Sequence, residues 1–153
     1  MTKPFTLQPL VNLAHQKNDA ATRKFGKLNQ QEQAEITKLD TLLQYRKDYQ
    51  TRYQEAMQAG ISQADLSNFQ NFMSRLDEAI AQQQKIADQI HRSVEAGRSE
   101  LKDANRTMKS FDTLSQRHLE NEKKIEAKSE QRLQDELTGR HVAFKDAAAQ
   151  GEK

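Results

Sequence analysis

Four histidines, His15, His91, His118 and His141, are the side chains best suited to ligate a metal or carry a proton near neutral pH. They are far apart in the chain, and none has a second histidine or a cysteine at ligand spacing, so no metal site is expected. The 22 Asp and Glu residues are acid–base candidates by type. Such catalysis needs a concave, water-poor pocket that drives two pKa values apart, and a chain only two helices thick has no place for one. Gly26, Gly60 and Gly97 stand alone, without the clustered glycines of a phosphate-cradling loop. Cysteine is absent, which removes disulfides and thiolate nucleophiles and fits a reducing compartment. The expectation is therefore no catalytic residue, no cofactor and no metal, and a protein that acts by binding.

Composition constrains the scaffold. Only 35% of the 153 residues are apolar, against roughly 45–50% in globular domains, so a thick core is excluded. Lys and Arg number 24 against 22 acids, a formal net charge of +2 with no basic block, which argues against nucleic acid as a main partner. Pro4, Gln8, Pro9 and Asn12 interrupt any apolar run of the kind a cleaved signal needs. No stretch approaches the roughly 20 apolar residues of a membrane span, so direct membrane insertion is not expected and a cytoplasmic location is.

Both prolines lie at positions 4 and 9, and the rest of the chain is rich in Gln, Lys, Glu, Ala, Arg and Leu, all good helix formers. Stepping alternately by three and four from Leu7 gives Val11, Ala14, Asn18, Ala21, Phe25, Leu28, Glu32, Glu35, Leu39, Leu42, Arg46, Tyr49, Tyr53 and Ala56, and eleven of these fifteen positions are apolar. A second phase runs Leu66, Phe69, Met73, Leu76, Ile80, Gln83, Ala87, Ile90, Val94, Gly97, Leu101, Ala104, Met108 and Phe111, with only Gln83 and Gly97 lacking an apolar side chain. A 3.5-residue repeat sustained this long predicts helices that supercoil around one another.

Gly60 separates the two phases and suits the left-handed backbone that ends a helix. Ser62 is placed to cap a second helix by accepting from the Asp65 backbone, with Asp65 as the acid of a capping box. The expected fold is all-α: a single two-helix antiparallel coiled-coil hairpin over residues 1–153. Helix one covers about 7–58, the turn 59–62, helix two about 63–137, and a frayed tail 138–153. Helix one alone would span roughly 75–80 Å at 1.5 Å per residue. Folding about residue 61 pairs positions whose numbers sum to about 122, setting Tyr49 against Met73, Leu42 against Ile80 and Phe25 against Gly97. Gly26 and Gly97 read either as packing relief or as a hinge. Past about Ser115 helix two is expected to run without a partner.

Asn18, Glu32, Glu35 and Arg46 are polar residues on the predicted seam. Three readings are open: Ile36 and Leu43 rotate inward in their place, the polar groups set the register, or they recognise a partner. Near the turn the departure is in the other direction. Tyr45, Phe72 and Ala79 lie off the stripe, so that with Leu42, Tyr49 and Leu76 they widen it beyond what two helices require. Exposed aromatic clusters are typical of interface hot spots, and local core thickening or self-association is the alternative.

These residues resemble the FliJ family of small proteins of the bacterial flagellar type III export apparatus. The resemblance rests on Leu39-x2-Leu42-x2-Tyr45-x3-Tyr49, then Gly60-Ile61, then Asn68-Phe69-Gln70-x-Phe72-x3-Leu76-x2-Ala79-Ile80, with the early Leu7-x2-Leu10-x2-Leu13-Ala14. It is strongest over about residues 36–83. It implies a hairpin similar to the stalk of the rotary ATPase gamma subunit, without enzymatic activity. The implied partners are the hexameric flagellar export ATPase, the cytoplasmic region of the transmembrane export gate and the chaperones of filament-type export substrates. The implied location is cytoplasmic, at the inner-membrane export apparatus. The implied gate-binding residues are Lys38, Leu42, Tyr45, Tyr49, Phe72, Leu76, Ala79 and Gln83, of which Lys38 and Gln83 depart from the family's residue types. A generic coiled-coil scaffold or homodimeric interaction protein is the alternative.

Overall fold

The computed structural model describes residues 3–151. Among them the chain forms two helices, α1 (Gln8–Ala59) and α2 (Gln63–Gln150), packed antiparallel as an all-α hairpin. It divides into two compact units: Gln16–Asn105, which holds the turn, and Met1–His15 with Arg106–Lys153.

In the Gln16–Asn105 unit, Gly60 has φ of 83°, the left-handed conformation that lets the backbone leave α1. Ser62 Oγ accepts from the Asp65 N–H at 3.2 Å, satisfying one of the free donors of the first turn of α2. Every predicted seam position of this unit is buried or half-buried. Leu76 (7% exposed), Ala87 (8%) and Val94 (2%) are its tightest apolar points. The register is close to the predicted one, as Tyr53 packs on Phe69 with ring centroids 5.6 Å apart. Gly97 faces Phe25 and Leu28, and a Cβ there would fall 2.9 Å from Leu28 Cδ1, so this glycine is packing relief; one at Gly26 would meet nothing.

The polar seam residues stay in the seam. Gln83 is 9% exposed and its amide donates both to the Glu35 carbonyl (3.0 Å) and to the Glu35 carboxylate (2.6 Å). His91 Nδ1 lies 2.9 Å from Glu32 Oε2, and Arg46 Nε donates to Asp77 at 2.6 Å. Ile36 and Leu43 do not rotate inward: they are 37% and 45% exposed. Glu32, Glu35 and Arg46 each find a partner on α2, so they are satisfied where they stand, whereas the buried Asn18 Oδ1 has no hydrogen-bond partner. Shifting the register by one heptad would break all of these bonds together.

In the other unit, Val11 and Ala14 are buried against the α2 seam, and His15 Nε2 sits 2.7 Å from Asp112 Oδ1. Here α2 keeps a partner beyond Ser115, contrary to the sequence expectation. The Lys3 N–H donates to Glu122 Oε2 at 3.2 Å, His118 Nε2 lies 2.9 Å from the Lys3 carbonyl, and Phe5 packs on the His118 ring at 5.3 Å. Residues 3–7, ahead of α1, are not helical, and an extended segment covers about 3.3 Å per residue against 1.5 Å in a helix, so a few residues reach a full turn further along α2.

The frayed tail expected over 138–153 is also corrected, because α2 continues to Gln150; residues 152 and 153 lie outside the described residues. Losing the apolar stripe does not end a helix whose backbone bonds are internal. A single interior glycine, Gly139, costs only about 1 kcal/mol. Arg140 pairs with Glu136 at 3.0 Å, and Ala147, Ala148 and Ala149 favour helix.

Two outcomes are expected in solution. Val94→Ala removes buried methyl groups at the best-packed seam position and should lower stability by about 2 kcal/mol in a urea melt; an unchanged midpoint would refute this packing. The Glu35 carboxyl is held below its ordinary value of 4.5, first by the Gln83 hydrogen bond and then by Lys38. A depressed carboxyl pKa contributes stability that is present above the ordinary value and lost as pH falls through the lowered one. The stability advantage of wild type over Glu35→Gln should therefore narrow as pH drops below 4.5; a gap that is constant with pH would overturn the assignment.

Candidate partner-binding surface

With the seam positions written as a and d of a heptad, the residues beside them fall on two opposite sides of an antiparallel pair: the g positions of both helices on one, the e positions on the other. In the Gln16–Asn105 unit the g side carries Lys24, Gln31, Lys38, Tyr45 and Arg52 from α1, with Phe72, Ala79, Ile86 and Glu100 from α2. The Lys24–Glu100 ion pair at 3.0 Å crosses the seam on this side.

The residues picked from the sequence separate into two groups. Leu76 and Gln83 occupy d positions and are turned into the seam, at 7% and 9% exposed. They hold the helices together and present almost nothing to a partner. Lys38, Tyr45 and Phe72 are exposed, Tyr45 at 60% and Phe72 at 48%, and Leu42, Tyr49 and Ala79 are half-buried between them. The structure thus brings six of the eight to one surface.

An aromatic ladder positions that surface. Tyr53 packs on Phe69, Phe69 on Tyr49 at 5.1 Å, and Tyr49 on Phe72 at 4.3 Å, so the exposed Phe72 ring is braced through Tyr49 by rings that lie in the seam. Tilted pairs of this kind are favourable beyond their area and leave Phe72 with little freedom to lose on binding. Beside the rings lies a shallow depression lined by Thr37, Lys38, Thr41, Leu42 and Gln83. Lys38 Nζ, 3.2 Å from Glu35 Oε1, supplies a cation at its margin. An apolar centre with one charge and hydroxyls at the rim is the anatomy of a protein contact.

Ile86, 43% exposed and one heptad beyond Ala79, extends the same side and was missed. The signal was present: it shares the g position of Phe72 and Ala79. Among the described residues, no group of three or more His, Asp or Glu side chains is placed to hold a metal ion. His15 and His91 are instead committed to contacts across the seam, and His118 to the Lys3 carbonyl and the Phe5 ring.

The chain matches the family model described as Flagellar FliJ protein over residues 2–145. Among its relatives are the Flagellar FliJ proteins of Escherichia coli (strain K12) and Salmonella typhi. Each is 24% identical over 140 residues, covering 92% of this chain and 95% of the relative. No solved structure matches it significantly. With a two-helix hairpin, an aromatic surface next to its turn and a family match across nearly its whole length, the chain belongs to the FliJ family.

Proposed function

We propose that this protein is a non-enzymatic component of the bacterial flagellar protein export apparatus, and that its exposed aromatic surface binds the cytoplasmic region of the export gate. In this reading it also binds the hexameric export ATPase and escorts the chaperones of filament-type substrates, working in the cytoplasm against the inner-membrane apparatus. The observation that carries the proposal is the Phe72 ring braced on Tyr49, with Tyr45 on the same side of the seam, the Phe72 and Tyr45 rings being about half exposed or more on a hairpin of this family. Solvent-facing rings are costly to keep unless something covers them, and braced aromatic side chains are the usual anchors of protein interfaces.

Leu76 and Gln83 belong to the proposal in a supporting role, because they fix the helix that presents Phe72 and Ala79. Among the described residues no helix is long and apolar enough to cross a membrane, so an association with the gate would rest on protein contacts.

The test is titration of the folded chain with an isolated cytoplasmic gate fragment that includes its linker. Tyr45→Ala and Phe72→Ala should each weaken binding by about one to a few kcal/mol, as hot-spot truncations do, Tyr45→Ala with little change in the thermal melt and Phe72→Ala with only the modest loss that follows from its stack on Tyr49. Affinity unchanged in both variants would sink the surface assignment. Absence of binding by wild type, with the ATPase ring also supplied, would return the protein to a general coiled-coil scaffold.

A further inference from the structure

The shallow depression beside the aromatic rings, lined by Thr37, Lys38, Thr41, Leu42 and Gln83, has a polar rim whose donors can be followed one by one. The Thr37 hydroxyl donates to the Gln33 carbonyl at 2.8 Å and the Thr41 hydroxyl to the Thr37 carbonyl at 2.9 Å, so both are used inside α1. The Gln83 amide nitrogen makes two bonds, both to Glu35, one to its carbonyl and one to its carboxylate. Leu42 has no side-chain donor. Among these lining residues only the Lys38 ammonium keeps donors for a partner: it has three N–H groups, and one bond, to Glu35 Oε1 at 3.2 Å.

That ammonium is held in place. The Glu35 side chain is only 19% exposed, and its carboxylate is bonded at both oxygens: Oε2 accepts from the buried Gln83 at 2.6 Å, and Oε1 from Lys38. Both bonds favour the charged carboxyl, which is held below its ordinary value by Gln83 first and by Lys38 second. A seam residue of α2 thus reaches, through one carboxylate of α1, a lysine side chain that is 63% exposed on the aromatic side. Lysine is among the side chains with the most rotamer freedom to lose on binding, and a lysine already fixed loses less of it.

We infer that Lys38 is the specificity-determining residue of this surface, taking an acidic side chain of the partner, and that Glu35 is its positioning residue, anchored by Gln83. The inference rests on the aromatic surface being the one that binds the gate fragment. A carboxylate is the group that fits, because a cation with unused N–H donors binds an anionic acceptor more strongly than a neutral one. Lys38 stands at the rim of an apolar centre, where a charge selects the partner more than it supplies affinity. If Glu35 did no more than neutralise Lys38, it would weaken the lysine instead of positioning it, and the two roles predict opposite signs.

Titration of the full chain with the gate fragment separates them. Lys38→Met should weaken binding about tenfold at low salt and by less at high salt, since a rim charge is screened. The double variant Glu35→Leu, Gln83→Leu removes the acid and its anchor but leaves an apolar pair in the seam, so it should melt no lower than wild type. It should bind about threefold or more weaker than wild type, and the same two changes should make no difference in the Lys38→Met background. Tighter or unchanged binding by the double variant would mean that Glu35 only offsets the lysine charge, and would overturn the inference. So would an equal loss in both backgrounds, which is the mark of a disturbed seam. Wild-type affinity in Lys38→Met, with Tyr45→Ala and Phe72→Ala still weakened, would overturn the inference and leave the aromatic surface standing. Absence of binding by wild type would remove both.

Discussion

A pair of helices has no interior, only a line of contact, and everything in this molecule follows from how that line is kept. The residues a and d must lie on it, and each can bury no more than the facing helix covers. This is why few side chains here reach the burial of Val94, at 2% exposed, and most seam residues are only half-buried. Apolar contact along such a line holds two helices together but is indifferent to where they stop sliding, because leucines one heptad apart are equivalent. The hydrogen-bonded polar residues supply the missing choice. Gln83 against Glu35 is buried and would be stranded in any other register, while the more exposed pairs of His91 with Glu32 and Arg46 with Asp77 favour the same one.

The same geometry sorts the rest of the surface into two sides. Residues that precede an a position fall on one, residues that follow a d position on the other, and neither can cross to the far side. The aromatic residues Tyr45 and Phe72 therefore lie on one side, and the exposed Ile36, Leu43 and Met57 on the other, along one short stretch of chain. The ladder from Tyr53 to Phe72 belongs to both seam and surface: the stacking that stabilises the hairpin also aims the exposed ring.

Much of the fold was legible because its rule is periodic. Of the predicted seam residues only Leu7 is classed as exposed, at 37%, and the Gly60 and Ser62 signals describe the turn that forms. What could not be read was aperiodic. The Lys3–Phe5 segment packs without any repeat to announce it. The end of α2 is helical for local reasons that an apolar stripe does not report. Counting in threes and fours also says which residues lie on the line but not what their polar ends reach, so the retention of Glu32 and Glu35 in the seam needed the structure. For the candidate surface, the excess of rings gave the place. The heptad letter, applied more strictly, would have placed Leu76 and Gln83 inside and brought Ile86 in.

Only three residues, Gly60 to Ser62, separate α1 from α2, and this brevity constrains how such a chain can change over generations. A residue gained or lost in one arm moves everything beyond it by a turn fraction of about 100° relative to the other arm, which would exchange seam for surface. Length changes near the turn are tolerable only as whole heptads matched in both arms. Related chains are thus expected to drift freely in residue type, as 24% identity already attests, while the distances of their seam residues from the glycine turn stay nearly invariant.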